Sequence, residues 1–339
     1  MIHVIGHIPR ISEAVSWYRS LGPLAHLARH QHIRFSLVDK VDITHPPFAD
    51  IAYFQRPDCA EDIEKMDLFR NMGVPCVVDW DDHPYAVTDS NPWCFHYATN
   101  DVRAAIWNGL MRADVITVST PFIQREFKKH FPDKKIYVVP NALDERLHRG
   151  QKKEENTAKK FLWRGTPSHM GDLLEFKPDY ELLIKEWEDS SGPKFTFFGT
   201  NPWFINGQIE AMKPEPHLLN YFMVLYSLPH QFGVITLSEN TFNHSKSNIA
   251  WLEMAWAGKI VLAPRWEEWT KPGVITYETK EEFFKQAMWM WNLSEASIKE
   301  LKHLAWAGID AQFMLKTVNE KRLRVYEALA GKGPWPAET

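Results

Sequence analysis

The chain has 339 residues, of which 45% are hydrophobic and 24% charged, and its formal net charge at pH 7 is −4. This composition is ordinary for a globular protein, and the length allows about two domains. The charge excludes a generally basic surface for nucleic acid or membranes. No apolar run approaches the roughly 18–20 residues of a membrane span, so we expect no stable membrane insertion.

The N-terminal segment and the cysteines indicate a cellular location. Residues 1–10, MIHVIGHIPR, become polar too soon for a signal peptide. Cys59, Cys76 and Cys94 are odd in number and have no metal-ligand spacing. We therefore expect reduced thiols in a cytoplasmic protein.

Short apolar segments alternate with longer helical patterns along the first 150 residues. Strands are predicted at 2–5, 35–38, 51–54, 75–80, 115–119 and 136–139, and helices around 12–20, 60–72, 101–112 and 121–130. This alternation is typical of a parallel sheet covered on both faces.

Residues 147–160 are charged and nearly free of apolar side chains, which predicts a linker. Beyond it, strands are predicted at 161–164, 195–199, 232–237, 259–263 and 274–277, and three helical patterns follow from about 280 to 330. We therefore predict an α/β fold of two Rossmann-like domains, at 1–150 and 151–315, that face each other across a cleft. Ligands of such domains lie at the carboxyl ends of the strands.

Residues 242–264 combine a polar loop, an amphipathic helix and a buried strand. Glu253 lies at the margin of the apolar face, where a carboxylate needs hydrogen-bond donors. Ser245, Lys246 and Ser247 precede the helix, where free N–H groups and the helix dipole favour an anion. Lys246 and Glu253 are separated by about two turns, or roughly 10 Å. This length suits a nucleotide diphosphate with its phosphates at Lys246 and its ribose at Glu253.

Three segments, in the same order, resemble the retaining GT-B-fold glycosyltransferases of the family 4 type, in a compact bacterial or viral version. They are the FN-x-x-KSN-x-x-WLE core at 242–253, the strand–helix–strand pattern of 113–144, and FLWRGTPSHMGDL at 161–173. The resemblance implies transfer of a sugar from a nucleotide-diphosphate sugar with retention, no metal, and no cofactor besides this co-substrate. It also implies that the helix in 316–339 packs back onto the first domain. One departure is that Ser245 stands where the family often has a second glutamate.

Arg164 ends a predicted strand and is followed by Gly165. An arginine at a strand end suits a fork-shaped grip on a diphosphate. With Lys246 it would form a two-cation clamp that stabilises the departing nucleotide diphosphate. His169, in the same loop, would donate to a phosphate or simply be solvated. The alternative for both cations is a surface ion pair.

Other loops at the predicted cleft supply further candidates for donor binding. Gly6 and His7 follow the first strand and would form a tight loop that faces the donor phosphates. Thr241, Phe242 and Asn243 would turn around the sugar and phosphates. The remaining candidates for donor binding are Thr166, Gly199, Thr200, Ser245, Ser247 and Asn248.

The segment WDDHPY, residues 80–85, ends a strand of the first domain. Asp81, Asp82 or His83 would bind the acceptor or orient the reacting sugar. Alternatively, the Asp and Pro residues build a turn. Asp79, Asp81 and Asp82 are also compatible with a divalent ion on the donor phosphates. That interpretation is disfavoured because the donor signature lies in the other half of the chain.

Three classes of function are compatible with these patterns. The favoured one is a glycosyltransferase, and the others are a sugar-nucleotide epimerase and a non-catalytic nucleotide-sugar-binding protein. The acceptor is open among a glycan precursor, a protein and a hydroxymethylated DNA base. A DNA acceptor requires a local basic patch. The candidates for that patch, which are otherwise dispersed surface charges, are Arg10, Arg19, Arg29, His30, His32 and Arg34.

Overall fold

The computed structural model describes residues 1–9, 11, 13–38, 48–87, 91–152, 155–187 and 192–338. Its first half forms a six-stranded parallel sheet of order β2-β1-β3-β4-β5-β6. The strands are β1 (Ile2–His7), β2 (Ile33–Leu37), β3 (Ile51–Gln55), β4 (Cys76–Trp80), β5 (Val115–Val118) and β6 (Lys135–Val138).

The second half forms another six-stranded parallel sheet, of order β12-β11-β10-β7-β8-β9. The strands are β7 (Ala158–Arg164), β8 (Phe195–Phe198), β9 (Ile209–Met212), β10 (His230–Val234), β11 (Ile260–Pro264) and β12 (Val274–Tyr277). In each sheet the strand order reverses once, between β1 and β3 and between β7 and β10. Parallel α/β sheets bind their ligands at such points of reversal.

Helices cover both faces of the two sheets. They are α1 (Ala14–Ser16), α2 (Gly22–Arg29), α3 (Ala60–Asn71), α4 (Asn100–Arg112), α5 (Pro121–His130), α6 (Glu145–His148), α7 (Met170–Glu175), α8 (Lys177–Glu186), α9 (Leu218–Ser227), α10 (Thr241–His244), α11 (Ile249–Trp256), α12 (Lys280–Trp291), α13 (Glu295–Gln312) and α14 (Leu315–Leu329). A π-helical turn at Trp17–Leu21 joins α1 to α2. No helix in the described ranges has the length and apolar character required to cross a bilayer.

The predicted α/β fold with two sheets is confirmed, and its physical basis is burial on both faces. Every residue of β4 and β11 is buried, which explains why these strands read as continuous apolar runs rather than alternating ones. Strand β9 was not predicted, because three of its four residues, Glu210, Ala211 and Met212, give no β-branched signal. Strand β7 begins at Ala158, inside the predicted linker, of which residues 153–154 lie outside the described ranges.

The last helix packs against the first sheet rather than the second. Val325 and Tyr326 of α14 share an apolar cluster with Ile2 and Val4 of β1. The Asn319 amide also donates to the carbonyl of Pro23 at 3.0 Å. The chain therefore passes between the two halves twice, and the boundaries 1–150, 151–315 and 316–339 stay a prediction.

Candidate functional site

Glu253 on α11 is the centre of the candidate site and is only 2% exposed. The Tyr221 hydroxyl donates to its Oε2 at 2.6 Å, and the Tyr18 hydroxyl of the first half donates to its Oε1. Arg164 Nη2 lies 2.6 Å from Oε2. A buried carboxylate requires such partners. Burial, together with the Glu253 charge, raises the pKa of Tyr18 and Tyr221 well above the usual range, so both keep their protons and donate.

Arg164 ends β7, at the point where the strand order of the second sheet reverses. Its Nε has no hydrogen-bond partner among the described residues, whereas its Nη2 pairs with Glu253. Gly199 follows the neighbouring strand β8 with a φ of +100°, and a Cβ added there would lie 2.1 Å from the Gly165 carbonyl oxygen. The turns at Gly165 and Gly199 therefore pack directly against each other, beside the Arg164 Nε that has no acceptor among the described residues.

Lys246 lies between α10 and α11 and crosses the cleft. Its Nζ is 3.4 Å from Asp82 Oδ2 of the first half, and it also lies 4.3 Å from the centre of the Phe242 ring. Because Lys246 pairs with Asp82 and Arg164 pairs with Glu253, each of the two predicted clamp cations has a carboxylate partner in the free protein.

Asp81 and Asp82 follow β4 and form a charged cluster with Arg56. Arg56 binds Asp81 with two contacts, of 2.5 and 2.7 Å, and reaches Asp82 at 3.3 Å. Burial acts to raise the pKa of Asp82, but the charges of Lys246 and Arg56 outweigh it and lower that pKa. For Asp81, burial and the adjacent Asp82 charge prevail over Arg56 and raise the pKa.

Arg56 itself adopts an uncommon backbone conformation. Its φ is +47°, in the left-handed region that non-glycine residues rarely occupy. Its N–H donates to the Asp79 carbonyl at 3.0 Å, so the turn after β3 is tied to β4. Strained backbone of this kind is often found at functional sites.

The loop before α11 is bonded to the first half through backbone and hydroxyl groups. The N–H of His83 donates to Ser245 Oγ at 3.1 Å, and Thr120 Oγ1 donates to the Ser245 carbonyl at 3.3 Å. The Asn141 amide donates to Ser247 Oγ at 2.7 Å. Ser245 and Asn248 are fully buried. The structure therefore places these two predicted donor-binding side chains under the loop rather than at its open face.

A buried aspartate, Asp172 on α7, organises the loops at the mouth of the second sheet. It accepts from the N–H of Ser238 at 2.9 Å, from the Asn243 amide at 2.7 Å and from His169 Nδ1 at 2.8 Å. These donors outweigh burial and lower its pKa. His169 also contributes to the lowered pKa of Asp82, so the two loops face each other across the cleft.

The other predicted donor-binding residues lie around this mouth. Thr166 and Thr241 are exposed, with Thr166 Oγ1 2.6 Å from Ser168 Oγ, and Thr200 Oγ1 contacts the Met170 sulfur at 3.2 Å. Phe242 is buried beneath Lys246.

Two expectations for the first half require correction. Gly6 and His7 do not form a loop, because β1 continues to His7 and both residues pair with β3. His7 Nε2 then binds Asp62 at 2.6 Å. The His83 ring packs against Phe127 of α5, with ring centres 5.7 Å apart, and burial lowers its pKa. Only the backbone N–H of His83 therefore reaches the site.

The predicted basic patch is also incomplete. Arg19 is fully buried, where it binds Asp79 at 2.7 and 2.8 Å, so it is not a surface charge. Arg29, His30, His32 and Arg34 are exposed, and Arg10 lies outside the described residues.

The three carboxylates of the metal interpretation do not form one group of ligands among the described residues. Asp79 is held by Arg19 and by Thr117 Oγ1 at 2.6 Å. In the described ranges, the residues whose ligand atoms lie close enough to share an ion are Asp58, Cys59 and Asp62. Asp81 and Asp82 are not among them.

A second buried acid lies beneath the start of α11. Glu268 is 6% exposed, accepts the N–H of Asn248, and has Lys271 Nζ 3.8 Å away. Burial raises its pKa to about 7. Glu268 and Lys271 border a cavity of about 300 Å³ between the two halves, which is closed on another side by Phe313.

Sequence reasoning missed four residues of this site: Tyr18, Arg56, Asp172 and Tyr221. Arg56 carries a signal similar to that of Arg164, a cation at the end of a strand: it lies two positions after the predicted strand 51–54. Asp172 follows the second-domain loop at helical spacing from His169. Tyr18 lies 235 positions from its partner Glu253, and no local pattern connects the two.

Comparisons with known proteins identify the fold. No protein-family profile matches the sequence, and no curated protein matches it. A glycosyltransferase from Rickettsia africae matches with a TM-score of 0.61 at 10% identity, over 97% of this chain and 98% of that one. HepE from Anabaena, solved with UDP, matches with a TM-score of 0.59 at 10% identity, over 97% of this chain and 100% of that one.

A candidate UDP-N-acetylglucosamine 2-epimerase from Listeria monocytogenes matches equally well. Its TM-score is 0.58 at 10% identity, over 100% of this chain and 99% of that one. At this level of identity, the likenesses establish the fold alone. It is the GT-B arrangement of two Rossmann-like halves, and it is shared by sugar-nucleotide enzymes of two classes.

Proposed function

We propose that this chain is a glycosyltransferase that moves a sugar from a nucleotide-diphosphate sugar to a hydroxyl acceptor, with retention and without a metal. The observation that carries the proposal is the arrangement along α11. Arg164 pairs with Glu253 in the middle of the helix, and Lys246 lies before its first turn, beside the first half. This order suits a ribose at Glu253 and a diphosphate that reaches Lys246.

Donor binding is then an exchange of partners. The diphosphate replaces Asp82 at Lys246 and is stabilised by the Arg164 charge, whose Nε has no acceptor among the described residues. The bond between the sugar C1 and the phosphate oxygen breaks, and the nucleotide diphosphate leaves with the electron pair. The two cations stabilise this developing charge, which is the main electrostatic requirement of the step. The acceptor oxygen bonds to C1, and its proton passes to the departing phosphate.

Asp81 and Asp82 are proposed to act on the acceptor side. The proposal is supported by their position after β4 and by the 3.4 Å contact between Asp82 and Lys246. Arg56 orients them through its paired contacts. The retaining outcome and the absence of a metal rest on the family 4 resemblance and belong to the proposal.

The test is incubation with labelled UDP-, GDP- and ADP-sugars, with hydrolysis, transfer and epimerisation measured separately and with Lys246→Ala as the inactive control. UDP-sugars are tested first because the structure of HepE contains UDP. Hydrolysis or transfer that Lys246→Ala abolishes supports the proposal. Formation of an epimeric sugar nucleotide would favour the epimerase, whose fold relative covers the whole chain. Binding without turnover would favour a binding protein.

The acceptor classes that remain open are a glycan precursor, a protein and modified DNA. The burial of Arg19 reduces the proposed DNA-binding patch, so we expect weak duplex binding. The decisive measurement is its salt dependence, since several phosphate contacts produce a steep fall in affinity with salt. A steep fall would make DNA the leading acceptor.

A further inference from the structure

The π-helical turn Trp17–Leu21 connects the first half to the helix that carries the candidate donor site. Its i→i+5 geometry is seen in the Gly22 N–H, which bonds to the Trp17 carbonyl. A Cβ on Gly22 would lie 2.8 Å from that oxygen, so the turn depends on the glycine. Tyr18, Arg19 and Ser20 of the turn are all buried. Such π-helical turns occur frequently at functional sites.

The turn reaches α11 at two places. Tyr18 donates directly to Glu253 Oε1. Arg19 donates to Asn141 Oδ1 at 3.2 Å, and the Asn141 amide donates to Ser247 Oγ at 2.7 Å, just before α11 begins. The middle of α11, at Glu253, and the residue before its N-cap, Ser247, are therefore both bonded to the first half.

Tyr18 approaches Glu253 from the protein interior. It is 8% exposed and belongs to the apolar cluster that contains Leu143, Phe222 and Leu252. By contrast, the Arg164 side chain is 17% exposed and Tyr221 is partly exposed. A ligand that enters from the cleft meets Arg164 and Tyr221 first, and Tyr18 keeps its contact behind the carboxylate.

We infer that Tyr18 is a positioning residue of the donor site, through which the first half holds the ribose-binding carboxylate of the second. This inference rests on the proposed function. The donor site is complete only when the two halves are together, so donor binding and closure of the cleft are linked. Linkage of this kind is reciprocal: closure strengthens donor binding, and the donor stabilises closure.

The test is titration of the full-length protein with UDP, GDP and ADP, together with KM and kcat for the sugar nucleotide. For Tyr18→Phe we expect the Kd of the preferred nucleotide and the donor KM to rise about tenfold, the effect of losing a hydrogen bond to a charged group. The value of kcat should stay within about twofold, since the contact is the same before and during reaction. A merely structural defect would lower the active fraction, and hence kcat, without this change in KM.

The matched control is Tyr180→Phe. Tyr180 is a buried tyrosine of the second half whose hydroxyl contacts Thr236 Oγ1 at 3.1 Å and not Glu253. We expect its Kd, KM and kcat to equal those of the wild type. If Tyr18→Phe does not fold, Asn141→Ser breaks the second arm at Ser247 and should raise the Kd severalfold.

Three outcomes separate the hypotheses. A raised Kd confined to Tyr18→Phe and Asn141→Ser supports the inference. Wild-type affinity in Tyr18→Phe overturns the inference and leaves the proposed function standing. A wild-type protein that binds none of the three nucleotides overturns the proposed function and the inference with it.

Discussion

The carboxyl edges of the two sheets are built in opposite ways. At the first edge, each cation that we describe is matched to a carboxylate: Arg19 to Asp79, and Arg56 to Asp81 and Asp82. At the second edge, two glycine turns pack closely, and Arg164 pairs with Glu253 through Nη2 while its Nε has no acceptor among the described residues.

This difference gives the two edges different tasks: one holds side chains in a fixed orientation, and the other can bind a charged ligand. A saturated cluster of charges holds its side chains in one arrangement and has little left for an anion. An edge with spare donors and no Cβ in the way can accept a charged ligand closely. In the proposed glycosyltransferase, the first edge would therefore orient the acceptor and the second would bind the nucleotide.

The largest effect is expected when a cation of the second edge is removed. Lys246→Ala and Arg164→Ala should each lower turnover by about 10²-fold or more, because the leaving group loses a stabilising charge. Steady-state kinetics with Lys285→Ala, an exposed lysine on α12, as the control would measure this. An unchanged rate in Lys246→Ala would overturn the clamp.

A second prediction compares buried acids of the two halves. The pKa of Asp82 is lowered, whereas that of Glu268 is raised to about 7 from 4.5. Between pH 4.5 and about pH 7, Glu268 therefore keeps a proton in the folded protein that it has lost in the unfolded chain. The contribution of protonated Glu268 to the free energy of unfolding is therefore fully present below pH 4.5 and is lost as the pH rises through about 7. It amounts to about 3 kcal/mol.

Urea unfolding at pH 5 and pH 8 tests this. Glu268→Gln should match the wild type near pH 5 and be more stable at pH 8. The difference between variant and wild type is the useful quantity, because burial lowers the pKa of His148 to about 4 and gives an opposite pH dependence. Glu267→Gln, an exposed neighbour paired with Arg125, should show no gain at pH 8. Equal gains in both variants would contradict the assignment.

A smaller effect on nucleotide binding is expected at Asp82, where the two edges meet. Asp82→Asn removes the carboxylate that competes for Lys246, so UDP binding should tighten by about two- to fivefold, as for a partly exposed ion pair. Transfer to an acceptor should fall in the same variant. Calorimetry and transfer assays on one preparation would show the two opposite changes. Weaker UDP binding would mean that Asp82 belongs to the donor site.

The smallest expected effect concerns metals. If Lys246 and Arg164 neutralise the donor diphosphate as proposed, a chelator should leave the rate within about twofold. A loss of activity that Mn²⁺ or Mg²⁺ restores would instead assign a ligand role to the aspartates after β4.

The parts of the fold that could be predicted are those with a local cause. Eleven strands show apolar runs, and the three last helices show the helical period, whereas β9 is a short, largely exposed edge strand with one β-branched residue and carries little signal. The loop expected at Gly6 and His7 was wrong because a glycine can continue a strand when its neighbours pair on both sides.

The parts of the site that could not be predicted depend on long-range pairing. Glu253 was recognisable from its helix position, but its burial by Tyr18 depends on how the halves meet. Arg19 resembles a surface charge in the sequence because its partner Asp79 lies 60 positions away. A residue type indicates that a partner is needed and not where that partner lies.

The two passages of the chain between the halves meet at one place. The N–H of Leu143 bonds to the Phe313 carbonyl and the N–H of Leu315 bonds to the Leu143 carbonyl, both at 2.9 Å. Beyond this point, α14 covers apolar residues of the first sheet. A fragment that stops before α14 would expose that surface and aggregate, although it contains the whole second sheet. Neither half can be excised at a single cut, because two connections join the halves. Exchange of halves between relatives therefore requires two junctions, one near Leu143 and one near Leu315.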